Sequence, residues 1–222
     1  MLSEGTIIAL STPQGSGAIG VIRLSGLLAI EKAAYFIHTK SKKSWNEIIP
    51  NTTFLGDFKV GNQLIDEVLI TFFKGPHSYT GEDVVEISCH GSSYIQQKII
   101  TSFLGEGILP AQAGEFTLRA YLNKKMDLSQ AEAVADIIAS ENEAAHTIAM
   151  QQMRGGFSQN MEELRQQLIQ FKALIELELD FSEEEVNFAN KDQLSQLLRA
   201  LHKDINTLKL SFAYGNVIKK GV

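Results

Sequence analysis

The chain has 222 residues and a formal net charge of −6, a length that suits one large domain or two small ones. With 44% hydrophobic and 21% charged residues it is excluded from the class of chains that are disordered throughout. Residues 1–118 and 119–222 each carry a net charge of −3, which excludes a domain whose main task is to grip nucleic-acid backbone.

The first half reads as short strands broken by turns. All four prolines and thirteen of the seventeen glycines fall at or before Gly114, and such residues build turns and interrupt helices. Thr6–Leu10 is apolar and β-branched, and it ends at Ser11-Thr12-Pro13. After the turn Gly15-Ser16-Gly17, Ile19–Leu24 predicts a second strand closed by Ser25-Gly26. A helix is expected over 28–37, buried strands over Val68–Phe73 and Asp83–Cys89, and a helix over Ser93–Leu104. This is a mixed α+β layer domain.

The second half predicts three long helices. The first runs from about Ser129 to Met150 and is alanine-rich. The second carries Met161, Leu164, Leu168, Phe171, Ile175 and Leu179, and the third carries Leu194, Leu198, Leu201, Ile205, Leu208 and Phe212. Steps of three and four place each set on one face. Asn190 with Gln193 predicts a cap for the third helix. The acidic stretch Asp180–Glu185 ends the second helix, and Glu183-Glu184-Glu185 reads as a solvated turn. The third helix is expected to stop before Gly215, with Val217, Ile218 and Val222 reading as the approach to a further strand. On that pattern the chain is expected to be a fragment of a longer protein.

One cysteine, Cys89, excludes an intramolecular disulfide framework and a multi-cysteine zinc site. The start of the chain lacks the basic and apolar runs of a signal peptide, and Val68–Phe73 is far too short to span a membrane. The expectation is a reduced, cytoplasmic, soluble protein without a membrane partner.

Several segments carry polar groups that chemistry could use. Gly15-Ser16-Gly17-Ala18-Ile19-Gly20 matches G-x-G-x-x-G, but the pyrophosphate site of that motif needs a helix next, and Val21–Leu24 reads as strand. A turn between paired strands is the better reading. Arg23, flanked by apolar strand neighbours, is either an arginine that reaches the edge or pairs with an acid, or a fork for a carboxylate or phosphate ligand. Glu86 shares a strand face with Val84 and Ser88, opposite Val85 and Ile87. A carboxylate there either pairs with Arg23 or a backbone turn, or receives two adjacent N–H donors of a ligand such as a pterin or purine. Cys89 and His90 point to opposite faces, which disfavours a Cys–His catalytic pair; Cys89 is expected to be a buried thiol and His90 to cap the turn at Gly91. Lys125 lies where the front half hands over to the helices and reads as a solvated linker lysine. No P-loop, metal-binding H-x-x-x-H helix or nucleophile elbow occurs in the sequence.

These segments together resemble the N-terminal part of the tRNA-modification GTPase family MnmE, also called TrmE. The resemblance rests on Thr6–Ala9 with Thr12-Pro13, Gly20–Gly26, Ser78–Glu86 with His90-Gly91, Gly114–Ala120, Asn123–Leu128, Gln130–Ala133 with Asp136, and Asp180-Phe181. It implies an α+β architecture in two parts. Residues 1–122 would be a folate-binding and dimerisation domain like that of the glycine-cleavage aminomethyltransferase. Residues 123–222 would be the first part of a helical domain, here an incomplete bundle, after which a G domain would follow. It further implies a tetrahydrofolate derivative (5-formyl- or 5,10-methylene-) as cofactor, held by Arg23, Glu86 and Lys125. The implied partners are a second copy of the chain, the flavoprotein MnmG and tRNA, whose wobble uridine receives a carboxymethylaminomethyl or aminomethyl group. GTP, potassium and magnesium would act only through the G domain, so no catalytic residue and no metal site is expected within residues 1–222. His77 stands where the family often has asparagine. Two other readings stay open: a dimerisation scaffold without significant folate binding, and a free-standing folate-dependent aminomethyl transferase.

Overall fold

A computed structural model of the chain describes residues 5–40, 45–180 and 190–220. It divides into two compact units, Met1–Met126 and Asp127–Val222.

In the first unit the described elements are β1 (Ile7–Leu10), β2 (Ile19–Ser25), α1 (Ala29–Phe36), β3 (Ile37–Thr39), β4 (Thr53–Val60), β5 (Gln63–Phe73), β6 (Val84–His90), α2 (Ser93–Leu104), β7 (Leu109–Pro110) and α3 (Glu115–Leu122). A single turn of 3₁₀ helix, Trp45–Glu47, precedes β4. The strands form one sheet in the order β3-β4-β5-β6-β2-β1-β7, antiparallel throughout except for the β1–β7 pair. The expected strands at the start of the chain, at Val68–Phe73 and after Asp83 are present, as are the first two helices. β3, β4, β7 and α3 are additions, and β5 begins at Gln63 rather than Val68.

Alternation decides the two faces of the sheet. Ile22 and Leu24 of β2, Val85 and Ile87 of β6 and Ile70 and Phe72 of β5 are buried on one face, under Ala29, Ala33 and Phe36 of α1 and Ile99 and Phe103 of α2. At the centre of this layer Phe36, Phe58 and Phe103 meet, with ring centroids 5.0 Å (Phe36–Phe103), 5.4 Å (Phe36–Phe58) and 5.8 Å (Phe58–Phe103) apart. Their neighbours in the chain, Arg23, Glu86, Thr71 and Ser88, therefore face the other side.

The second unit is helical: α4 (Leu128–Ile138), α5 (Glu143–Met153), α6 (Gly156–Asp180) and α7 (Asn190–Lys220). The single helix expected over Ser129–Met150 is two helices. The Asn142 side chain accepts the Ala145 N–H and starts α5 afresh, and the Ser140 hydroxyl donates back to the Ile137 carbonyl at the end of α4. The two helices are tied reciprocally, Gln130 Nε2 donating to the Met153 carbonyl and Gln152 Nε2 to that of Ser129. The small residues Ala133 and Ala149 are buried between neighbouring turns.

The third expected helix does not stop before Gly215. α7 runs to Lys220, because one glycine costs a helix only about 1 kcal/mol, and Val217 and Ile218 lie within it rather than leading to a strand. On α6 and α7 the expected stripes are only partly covered: Leu201 is buried, whereas Leu168, Leu198 and Ile205 are exposed. The predicted turn at Glu183–Glu185 and Phe181 lie outside the described residues.

Phe103→Ala empties the middle of the aromatic cluster and is expected to cost about 3–5 kcal/mol, read by denaturant unfolding. Asp127 caps α4 in a reciprocal box with Gln130, and the Ser158 hydroxyl, then the Gln130 N–H, hold its carboxyl below the usual carboxylate range. Asp127→Ala is expected to cost about 1 kcal/mol near neutral pH. A lowered folded pKa gives stability that is present above the unfolded value and lost as pH falls through the folded one. The gap between wild type and variant should therefore close below about pH 4, as followed by circular dichroism.

Candidate functional site

The outer face of the sheet, opposite α1 and α2, carries the polar chemistry. β2 and β6 pair in register so that Arg23 stands directly across from Glu86. Arg23 Nε and Nη2 donate to Glu86 Oε1 at 2.9 and 2.6 Å. The side chains are 25% and 29% exposed, so the pair is half sunk in the sheet yet open to solvent. Two rings flank the guanidinium: Tyr79 with its centroid at 5.2 Å and Phe116 at 5.6 Å from Cζ. Tyr79 comes from the β5–β6 connection and Phe116 from α3, and the Tyr79 hydroxyl bonds Thr117 Oγ1 at 2.9 Å.

The β5–β6 connection, residues 74–83, is held from within and from α3. The Gly75 N–H donates to Asp83 Oδ1 and the Ser78 hydroxyl to the Glu82 carbonyl. Ser25 Oγ donates to Glu82 Oε2 and shares a bond with Thr80 Oγ1. Arg119 of α3, 6% exposed, donates from Nη1 to both Glu82 oxygens at 3.1 and 3.0 Å. Its Nη2 donates to the Gly5 carbonyl at 2.8 Å and to Glu115 Oε1 at 3.1 Å.

Of the three residues singled out from the sequence, Arg23 and Glu86 are thus in direct contact. Lys125 is exposed and donates from Nζ to the Pro76 carbonyl at 2.8 Å. It touches the same connection that presents Tyr79, but no described contact joins it to Arg23 or Glu86. Sequence reading assigned no role to Tyr79, Phe116, Glu82 or Arg119. The signal for the last was the Glu115–Arg119 spacing of four on a helix, which marks an ion pair and says nothing of a third partner.

The glycine-rich segment 15–17 joins antiparallel β1 and β2, and no helix begins until Ala29, so it lacks the helix N-terminus that a pyrophosphate requires. It is instead fastened to the end of β6: the Gly17 N–H donates to the Gly91 carbonyl and the Gly91 N–H to that of Ala18. A Cβ on Gly91 would stand 2.3 Å from the Gly17 oxygen, so glycine is required there. Next to it, His90 does not cap the Gly91 turn. Buried Asp66 takes both its backbone N–H (2.8 Å) and its Nδ1 (2.7 Å), leaving the ring itself largely exposed.

Cys89 is on the opposite face from His90, buried, with Sγ donating to the Gly20 carbonyl. Burial first, and then the nearby Asp66 charge, push its thiol from about 9 up to about 11. Among the described residues no three His, Cys, Asp or Glu side chains gather to hold a metal, and no described helix is long and apolar enough to cross a membrane. Because only the thiolate attacks, Cys89 in the folded chain should react with a disulfide reagent near neutral pH many-fold more slowly than after denaturation. A raised folded pKa gives stability that is present below the unfolded value and lost as pH rises through the folded one. The wild type should lose stability between about pH 9 and 11, and Cys89→Ala should flatten that loss in thermal melts across the range.

Comparison with known proteins places this geometry in a family. Residues 6–125 match the family described as GTP-binding protein TrmE N-terminus, and residues 128–222 match the MnmE helical domain. Over 222 residues the chain is 55% identical to the tRNA modification GTPase MnmE of Flavobacterium psychrophilum, covering 100% of this chain and 48% of that protein. It is 55% identical to the protein of the same name from Christiangramia forsetii, covering 47% of it, and 51% identical to that of Bacteroides fragilis, covering 48%. The chain thus spans about half the length of these relatives. With its sheet-bearing unit matched from β1 to Lys125, the chain belongs to the TrmE N-terminal family.

Proposed function

We propose that this chain binds a tetrahydrofolate derivative on the outer face of its sheet, through Arg23, Glu86 and Lys125. In this reading residues 1–122 also dimerise, and residues 123–222 contribute to a helical domain. The chain then serves a cytoplasmic tRNA-modification GTPase that acts with MnmG on the wobble uridine. The relatives carry the name tRNA modification GTPase, which supports the tRNA and GTP parts of this reading. Residues 1–222 contain no phosphate-cradling P-loop, so no residue of this chain is assigned to GTP, potassium or magnesium.

The observation that carries the folate reading is the arrangement of Glu86. Both Arg23 bonds land on Oε1, and among the described residues Oε2 accepts none. A pterin amino edge presents adjacent N–H donors, which suit a carboxylate that still has an oxygen to offer. Tyr79 and Phe116 add aromatic surface beside it. Lys125 supplies exposed positive charge within reach of the same connection, suited to an acidic ligand tail. When bound, the folate supplies a one-carbon unit. The protein's part is to bind and orient it.

One observation favours the scaffold reading instead. Leu55 and Leu69, cross-strand neighbours, and Ile19 are exposed on this same face, at 38%, 48% and 65%. An apolar patch of this kind suits a protein partner without any ligand. Calorimetric titration with 5-formyltetrahydrofolate separates the two. Saturable binding, weakened about 10- to 100-fold in Glu86→Gln by loss of charge-assisted bonds, is the expected result. Equal affinity in wild type, Glu86→Gln and Arg23→Ala overturns the site. Sedimentation with and without the folate completes the test, since a dimer that never binds it supports the scaffold.

A further inference from the structure

We infer that Arg119, which lies beneath the site rather than in it, is the positioning residue that sets the aromatic slot around Arg23. The inference deepens the folate reading and rests on it only for one of its two readouts. A buried guanidinium needs partners, and among the described residues Nη1 and Nη2 of Arg119 donate to three separate stretches of chain: the Gly5 carbonyl before β1, both carboxylate oxygens of Glu82 in the 74–83 connection, and Glu115 on its own helix. The planar fork fixes directions as well as distances.

Two of those three stretches supply the rings. Tyr79 stands three residues before Glu82, and Phe116 stands three residues before Arg119, one residue after Glu115. Locking Glu82 and Glu115 onto one guanidinium therefore fixes how far apart the two rings lie, and hence the width of the slot that holds Arg23. Ser25, which donates to Glu82 Oε2, belongs to β2 two residues beyond Arg23, so the strand under the slot is tied to the same group. The Tyr79–Thr117 bond closes the arrangement at its outer end. Arg119 needs no contact with a ligand to act in this way; it acts through Tyr79 and Phe116.

The test uses Arg119→Lys, which keeps the charge and loses the fork, and Glu82→Gln, which keeps the shape and weakens the partner. The first readout is amide hydrogen exchange without ligand. At least tenfold faster exchange is expected in residues 78–83 and in α3, with β4 and β5 unchanged. Should Arg119→Lys fail to fold, Glu82→Gln carries the readout, with a smaller change in the same segments. The second readout is 5-formyltetrahydrofolate affinity in a double-mutant cycle. Arg119→Lys is expected to weaken binding about tenfold in wild type but less than twofold in a Tyr79→Ala, Phe116→Ala background, where no slot remains to be set. Losses that simply add in the two backgrounds, or exchange that rises evenly over the whole sheet, overturn the assignment. If wild type binds no folate, the ligand reading fails and the exchange pattern alone decides the role of Arg119.

Discussion

An arginine and a glutamate facing each other across the two central strands constrain most of what surrounds them. Arg23 and Glu86 are 63 residues apart in sequence, and the sheet order makes their strands neighbours. A slip of one residue between β2 and β6 would turn Arg23 into the layer that holds Phe36, Phe58 and Phe103, and bring Ile22 or Leu24 out to water. Charge and apolar burial therefore specify the same register from opposite faces. The pair contributes little net stability for this. Two unit charges about 4 Å apart attract by about 4 kcal/mol at an effective dielectric of 20, and the cost of half-burying both offsets much of it. Its consequence is uniqueness of pairing and a fixed rotamer for each side chain.

From that pair to the charges of α3 the polar groups become more buried. Glu115 and Arg119 have side chains 5% and 7% exposed, against 27% for Glu82 and 25% for Arg23. Charges at such depth need partners, because an unpaired buried charge costs more than apolar packing. Ser25, Thr80, the Gln112 N–H and the Gly5 carbonyl supply those partners. The long β5–β6 connection is consequently not an exposed loop that happens to lie near the site. It is folded down onto charges from α3, and the ring of Tyr79 is carried with it.

How much of this could be read in the sequence follows from the range of each interaction. Strands with a strong apolar face, such as Ile19–Leu24 and the one after Asp83, were legible because alternation is local. β4 was not, although Val60-Gly61-Asn62-Gln63 is a two-residue hairpin turn with Gly61 at φ +59, because its inward run of Phe54, Phe58 and Val60 is interrupted by Gly56. The long helix over Ser129–Met150 was misread because alanine spacing continues across Ser140 to Asn142, and only the cap at Asn142 marks the break. Arg23 and Glu86 were legible as charged residues out of place among apolar neighbours. Their pairing was one of the alternatives at both positions. Tyr79, Phe116 and Arg119 were not legible as a group, since nothing in a sequence says that residues 37 to 40 apart share one guanidinium or its flanks. Glu86 alone pointed no further than a ligand with adjacent N–H donors, such as a pterin or purine, and the family resemblance narrowed that to a folate.

The closed Arg23–Glu86 pair need not compete with a ligand. Had the guanidinium engaged Glu86 through both oxygens, a pterin would have to share each oxygen with Arg23 or displace it, and displacement would leave a half-buried charge without its partner. The observed geometry places both donors on one oxygen, at 2.9 and 2.6 Å, and leaves the second without a described donor. In the proposed folate reading, a ligand N–H would be added there with both Arg23 bonds still in place. Arg23 then does for a bound ligand what it does for the free sheet, holding Glu86 in one rotamer. The ordering cost is met in folding rather than in binding. On the proposed reading the structural and the ligand-binding roles of the pair would be two uses of the same contact, with the rings of Tyr79 and Phe116 keeping the guanidinium in place for the second.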